Sequence, residues 1–307
     1  MANGPYINVT ENVVAAAVAF TNKEIDKVPP PHKTGICTCI ALPDELVFID
    51  CGLFLDFASQ FRHDMEKRFN RPTSHLLFTH LHWDHFFALE AFEDVQIVAS
   101  KAETARVRPQ LRGRFSKEKR KQNWKYMLPD DKEAAKAYVN AKLFLPNIQV
   151  EDSLKIGPKN DEIVYQVVGG HTRGSASICV PKERTLCVGD NAYRHYYPLM
   201  FELGEPVLET YRYWETLPVD HVIPGHCEII TKAYLAKLRL YFEKLIAALQ
   251  KLREKQTAIN KVVKHPSIPH FFGKDEPAWE EGGKYHTKWE HHVIKMYYRK
   301  ICGRQAK

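Results

Sequence analysis

The chain has 307 residues, 44% hydrophobic and 26% charged, with a formal net charge of +7: an ordinary globular composition with ample material for a core. No apolar run approaches the roughly 20 residues of a membrane span, and "MANGPYINVTENVV" lacks the basic-then-apolar pattern of an export signal. The seven cysteines are odd in number and sit mostly in apolar, strand-like surroundings, which predicts reduced thiols in a cytoplasmic protein rather than a disulfide frame.

The first thirty or so residues give no clear element. "TGICTCIAL" (34–42) and "ELVFIDCG" (45–52) read as two strands about a Pro43-Asp44 turn. Cys37 and Cys39 lie on one face by strand alternation, and core packing is the expectation for them rather than a metal pair. Residues 53–69 have helical spacing, with Leu55, Phe57, Phe61, Met65 and Phe69 near one face. "HLLFT" (75–79) and "VQIVAS" (95–100) are strands. The segment 101–145 is mostly helical, with acidic residues opening "PDDKEAAKAYVNAKLFL" as a helix N-terminus prefers. Within it, 112–125 is rich in Lys and Arg and reads as a solvated face before a nucleic-acid footprint. Strands follow at 162–168, 175–180, 185–190 and 221–226, with a helix over 206–217 between the last two. Strands in two groups, each followed by helices, predict packed sheets with helices outside.

Residues 231–256 form a helix whose Leu235, Leu238, Phe242, Leu245, Leu249 and Leu252 are spaced by threes and fours. Such a seam serves equally a second subunit or the helix's own domain. The final helix, 284–301, would put Trp289, Val293, Met296 and Tyr297 on one face and leave His286, His291 and His292 as a solvated one. The expected division is a catalytic domain over 1–256 and a helical, aromatic extension over 257–307, packed on that domain or at a homodimer interface.

The chemistry gathers in "THLHWDH" (79–85), with three histidines and one aspartate in six residues. A strand end followed by His-x-His puts His80 and His82 on one side, where two imidazoles can share an ion. Asp84 and His85 follow at once, and together these are more donors than one catalytic ion takes from a single loop, so a two-ion site is the better reading. Further donors recur in one local grammar, an apolar strand followed by Gly and then His or Asp: His171 in "VVGGHTRGS", Asp190 in "LCVGDN" and His226 in "VIPGHCE".

In order and spacing, His80-x-His82-x-Asp84-His85, Gly170-His171-Thr172, Gly189-Asp190 and Pro224-Gly225-His226 resemble the metallo-β-lactamase-fold superfamily, closest to its lactonase and glyoxalase II-like branches. "FIDCG", with Asp50, resembles the family's strand before the first motif. The resemblance implies an α+β fold, a four-layer αβ/βα sandwich with a helical C-terminal extension here. It also implies a ligand set: His80, His82 and His171 for one ion, Asp84, His85 and His226 for the other, and Asp190 bridging both. The ions expected are zinc, with iron or manganese as alternatives.

Two such ions would hold a bridging hydroxide as nucleophile, and no serine or cysteine nucleophile is needed; Cys227 is set aside. The catalytic set is Asp84, Asp190 and Tyr193, the tyrosine because lactonases of this superfamily carry one three residues after the bridging aspartate, with His195 behind it. The expected function is hydrolysis of a small ester, lactone or thioester, promiscuously of phosphoesters. A nuclease or phosphodiesterase of the same fold, a mononuclear iron persulfide dioxygenase and a scaffold with a dead site are the alternatives. The expected partner is a small-molecule substrate, not nucleic acid or membrane.

Overall fold

A computed structural model of the protein describes residues 6–19, 34–127, 132–193, 199–226, 228–269, 271 and 283–303. Strands β1 (Tyr6–Asn8), β2 (Val13–Ala19), β3 (Thr34–Ala41) and β4 (Leu46–Ile49) form an antiparallel meander. Helix α1 (Leu55–Phe69) then carries the chain to β5 (Thr73–Leu77), which pairs parallel with β4. A single helical turn, α2 (Trp83–Phe86), precedes β6 (Gln96–Ser100). Helices α3 (Lys101–Arg112), α4 (Lys117–Met127) and α5 (Lys132–Asn140) lead to β7 (Ile148–Val150), the last strand of this seven-stranded sheet. Five strands make the second sheet: β8 (Ser153–Ile156), β9 (Ile163–Val167), β10 (Ala176–Val180), β11 (Thr185–Gly189) and β12 (His221–Pro224). The first four are antiparallel, and β12 joins parallel to β11 after the crossover helix α6 (Glu205–Thr216).

Strand alternation sorts the side chains into layers. Val13, Ala15, Ile36, Ile40, Val47, Ile49 and Leu77 of the first sheet meet Ile163, Tyr165, Ile178, Cys187 and Ile223 of the second. Their neighbours Val14, Ala16, Cys37, Cys39, Phe48 and Leu76 turn the other way, onto Phe61 and Met65 of α1. The Cys37–Cys39 pair is therefore core, and burial pushes both thiols above their ordinary range. On the far face of the second sheet, Leu186, Val188 and Val222 pack under α6, α7 (Lys232–Glu254) and α9 (Gly283–Ile301). The result is a four-layer αβ/βα sandwich, with the short α8 (Ile259–Val262) and α9 as its helical C-terminal part.

The six apolar residues of the α7 seam are buried within this chain, sharing a core with Tyr211 and Trp214 of α6 and Val293, Ile294, Tyr297 and Tyr298 of α9. On α9, His291 is half-buried and His292 exposed, as a solvated face requires; the side chains of His286 and Trp289 lie outside the description. In the basic run, Arg120 is buried, donating to the carbonyls of Tyr138 and Ala141 and so tying down the end of α5. On α1, Leu55 is 37% exposed, and Ala58 takes the inward place beside Phe61 and Met65.

The buried seam generates a stability contrast. Leu245→Ala, at a fully buried position of α7, should cost about 2–5 kcal/mol by leaving a cavity. Leu240→Ala, on the same helix but 48% exposed, should change stability by no more than about 0.5 kcal/mol. Denaturant unfolding of the two variants measures the difference; equal losses would place the seam elsewhere.

Candidate metal centre

The strand ends aim seven side chains at one point between the two sheets. β5 delivers the loop with His80 and His82, and α2 turns Asp84 and His85 back beneath it. From the second sheet, the turn after β9 brings His171, β11 ends just before Asp190, and β12 ends just before His226. The close approach of the last two depends on Gly225, where a Cβ would strike the Asp190 carboxylate.

The donors fall into two clusters: His80, His82, His171 and Asp190, and beside them Asp84, His85 and His226. In the first, His82 Nδ1 lies 3.0 Å from His80 Nε2 and 2.9 Å from His171 Nε2. Asp190 Oδ2 is 3.6 Å from His80 Nε2 and 3.4 Å from His171 Nε2. Its other oxygen, Oδ1, is 3.2 Å from His85 Nε2 and 3.5 Å from His226 Nε2. Asp84 Oδ2 completes the second cluster, 3.3 Å from His226 Nε2. One carboxylate thus faces both clusters, an oxygen to each.

Hydrogen bonds behind the rings fix which nitrogen faces inward. Asp50, in the left-handed region at φ 53°, accepts the Thr79 N–H at 2.9 Å, the Thr79 hydroxyl at 2.7 Å and His85 Nδ1 at 2.9 Å. Short polar side chains tolerate that backbone best. Because the Thr79 hydroxyl proton goes to Asp50, its oxygen is left to accept from His80 Nδ1, at 3.2 Å. His171 Nδ1 donates to the Leu199 carbonyl at 2.6 Å. Each of these three rings therefore turns Nε2 toward the centre, as ligating histidines do when the other nitrogen is tied.

Burial dominates the titration of the first cluster. It drives His80 well below the usual imidazole range, His82 down to about 3 and His171 also down, so all three favour the neutral form that can ligate an ion. Burial pushes His85 and His226 down too, but Asp190 in both cases, with Asp50 and Asp84 for the first and Asp84 for the second, outweighs it and raises them. Burial would raise Asp84 and Asp190, yet the neighbouring imidazoles, His85 foremost, hold both below the ordinary carboxylate range.

This donor set fits divalent ions. Asp190 Oδ1 is buried without a hydrogen-bond partner among the described residues, a costly state that a cation relieves. Donors about 2.0 Å from a tetrahedral ion stand roughly 3.3 Å from one another, and the facing atoms here are 2.9–3.6 Å apart. The chemistry of three imidazoles plus carboxylate, beside two imidazoles plus carboxylate, suits first-row metals.

Around the donors, the Tyr193 ring centroid lies 5.7 Å from that of His226. Phe201, 42% exposed, stands 5.8 Å from His171 and 6.5 Å from His82, centroid to centroid. His195 and Cys227 fall outside the described residues. Sequence reasoning missed Phe201, Thr79 and Asn191, whose Oδ1 accepts the His171 N–H at 2.7 Å. Thr79 and Asn191 carried a faint signal, polar residues directly beside His80 and Asp190; Phe201 carried none.

The family model for the metallo-beta-lactamase superfamily matches residues 34–226. Against curated protein sequences the chain finds no match. Among solved structures it is similar to the stereoselective inverting sec-alkylsulfatase Pisa1 from Pseudomonas sp., at 16% identity and a TM-score of 0.65 over 96% of this chain and 50% of that one. The chain thus spans about half the length of that alkylsulfatase. It is similar to a metallo-beta-lactamase family protein from Thermus thermophilus, at 15% identity and a TM-score of 0.61, covering 95% of this chain and 94% of that one. A metallo-beta-lactamase from Pontibacter korlensis gives 13% identity and a TM-score of 0.55, over 76% and 98%. The family match runs from β3, the strand beside which the second sheet closes, to the last of the seven converging side chains, and the chain belongs to the metallo-beta-lactamase superfamily.

Proposed function

We propose that the protein is a two-ion hydrolase of small esters, lactones or thioesters, with phosphoesters as promiscuous substrates and zinc as the first choice of metal, iron or manganese being alternatives. The observation that carries this is the Asp190 carboxylate, whose two oxygens face two separate donor clusters. His80, His82 and His171 would hold one ion and Asp84, His85 and His226 the other, with Asp190 between. When bound, such ions supply Lewis acidity that polarises the scissile group and makes water nucleophilic near neutral pH.

The chain's own groups do the rest. Asp50, Thr79 and Leu199 hold the imidazoles in the tautomer that keeps Nε2 free. Tyr193 would donate its phenol to an oxyanion developing on the substrate, a role supported by its ring lying beside that of His226. Phe201, on the opposite flank by His82 and His171, offers an aromatic wall to the substrate's apolar part. A nuclease would need the basic 112–125 segment as a phosphate track, but Arg120 is committed to backbone carbonyls and Trp124 packs on the core. A mononuclear dioxygenase would load one of the two clusters only, so the metal count separates it from this reading. Because Pisa1 is named for alkyl sulfates, a sec-alkyl sulfate belongs in the substrate panel beside lactones, thioesters and phosphodiesters.

Metal analysis of purified protein should find close to two ions per chain; one or none after careful handling would remove the two-ion reading. The second cluster should also show itself in protons. His85 and His226 are raised, so in metal-stripped protein they favour the protonated form, and an ion must displace those protons. Zinc titration of the stripped protein at neutral pH, in buffers of differing ionisation enthalpy, should therefore release protons as the second cluster fills. Affinity there should fall as pH is lowered. The first cluster, already neutral, should bind with little release, and equal release at both sites would contradict this assignment.

Two substitutions test the remaining roles. Asp190→Asn keeps the shape but replaces one ligand oxygen with an amide nitrogen, so hydrolysis should vanish while circular dichroism stays native. Tyr193→Phe should leave metal content intact and lower kcat by about 10–100-fold, below the largest losses seen for a deleted oxyanion donor; an unchanged kcat would return the ring to packing.

A further inference from the structure

Outside the seven converging side chains, a closely built polar feature lies where β6 gives way to α3. Ser100 caps the helix: its Oγ accepts the Glu103 N–H at 3.1 Å and donates to the Gly174 carbonyl at 2.6 Å. Glu103 is 1% exposed, and its Oε2 accepts the Leu81 N–H at 2.8 Å. One turn on, Arg106 donates from Nη2 to the Leu81 carbonyl at 2.9 Å and pairs with Glu103 at 2.5 Å. Leu81 is the spacer between His80 and His82, so a single ion pair holds both of its backbone polar groups.

The same turn grips the other histidine loop. Gly174 lies so close to the helix start that a Cβ there would strike Ser100 Oγ and the Glu103 amide. Burial pushes the Glu103 carboxyl up, but Arg106, the Leu81 amide and the Thr172 side chain outweigh it and keep it ionised. Thr172 directly follows His171. A buried ion pair is a poor choice if stability alone is at stake, since apolar residues would serve as well. It is the right choice where a loop that has left the sheet exposes an N–H and a C=O that neither water nor a strand can satisfy.

We propose that Ser100, Glu103 and Arg106 are positioning residues that set the spacing of His80, His82 and His171, and hence tune one ion of the pair and not the other. The second cluster is held differently, His85 by Asp50. This rests on the two-ion reading above. If the ion pair were only a structural tie, its loss would lower stability and weaken both ions alike. If it is a positioning device, the two affinities separate.

The test is zinc titration of stripped wild-type, Glu103→Gln, Arg106→Met and Arg106→Lys chains, with melting curves and histidine-ring NMR to identify which cluster fills. Glu103→Gln keeps an acceptor for Leu81 and guards against a variant that fails to fold. One affinity, assigned by NMR to His80, His82 and His171, should drop about 10–100-fold in Glu103→Gln and Arg106→Met, the usual cost of losing a partner behind a ligand. The other should stay within about twofold of wild type, and Arg106→Lys should recover part of the loss. Parallel weakening of both ions, or no weakening in either variant, overturns the proposal. A wild-type chain that takes a single ion overturns the two-ion reading instead, and the positioning role then stands or falls on whether that ion is weakened in Glu103→Gln.

Discussion

The Asp190 carboxylate sits almost fully buried, with histidine nitrogens 3.2–3.6 Å from its two oxygens. A carboxylate in that position is tolerable only if positive charge lies close on both sides. On one side His85 and His226 favour their charged forms, raised by Asp190 and Asp84 and, for His85, by Asp50 as well. On the other side burial disfavours the charged form of the three imidazoles, and Asp190 Oδ2 faces two of them, His80 and His171. Both halves of the centre therefore gain from a cation: Oδ1 because it has no hydrogen-bond partner among the described residues, Oδ2 because burial keeps the imidazoles facing it from charging.

The architecture follows from holding this carboxylate against donors of the other sheet. β11 must end just before Asp190 and β12 just before His226, and the parallel β11–β12 pairing makes those ends neighbours, with the Gly225 N–H bonded to the Gly189 carbonyl at 2.8 Å. The first sheet reaches the same point through β5, and the two meet where the Ile36 amide donates to the Gly225 carbonyl at 2.8 Å. The apolar layer between the sheets fixes that separation, because close-packed interiors transmit rather than absorb displacement.

Most of this was legible in the chain. Asp190, His171 and His226 each end an apolar run after Gly, and a ligand at a strand end announces itself because the run is uniform and the break abrupt. The buried helices α6 and α7 were legible from their spacing. Strands β1, β2, β7 and β8 were not. β7 and β8 are three and four residues long and half-polar, so no period forms, and the "VVAAAVA" of β2 is apolar throughout, without alternation to separate strand from helix. Glu103 and Arg106 were invisible for another reason: at helical spacing of three they look like any surface ion pair, and only the tertiary fold puts Leu81 beside them.

The part of the chain beyond the family match bears on the centre as well. Tyr297 of α9 is buried, and its hydroxyl accepts the Met200 N–H at 2.9 Å. Met200 lies between Leu199, whose carbonyl holds the His171 ring, and Phe201, which flanks it. The Phe201 and Glu202 amides then donate to the carbonyls of His171 and Gly170, at 3.3 and 2.9 Å. A short stretch, 199–202, is thus pinned from behind by the C-terminal helix and from the front by a metal-ligand loop. Its one exposed apolar side chain, Phe201, cannot shift far without loosening the hydrogen bond that sets the tautomer of His171. Donor geometry and the aromatic wall are coupled on this flank. On the opposite flank Tyr193 is tied to the Asp190 strand by sequence and touches the His226 ring. Changes in α9 would therefore be felt first at the His171 cluster, and changes near Tyr193 at the His226 cluster.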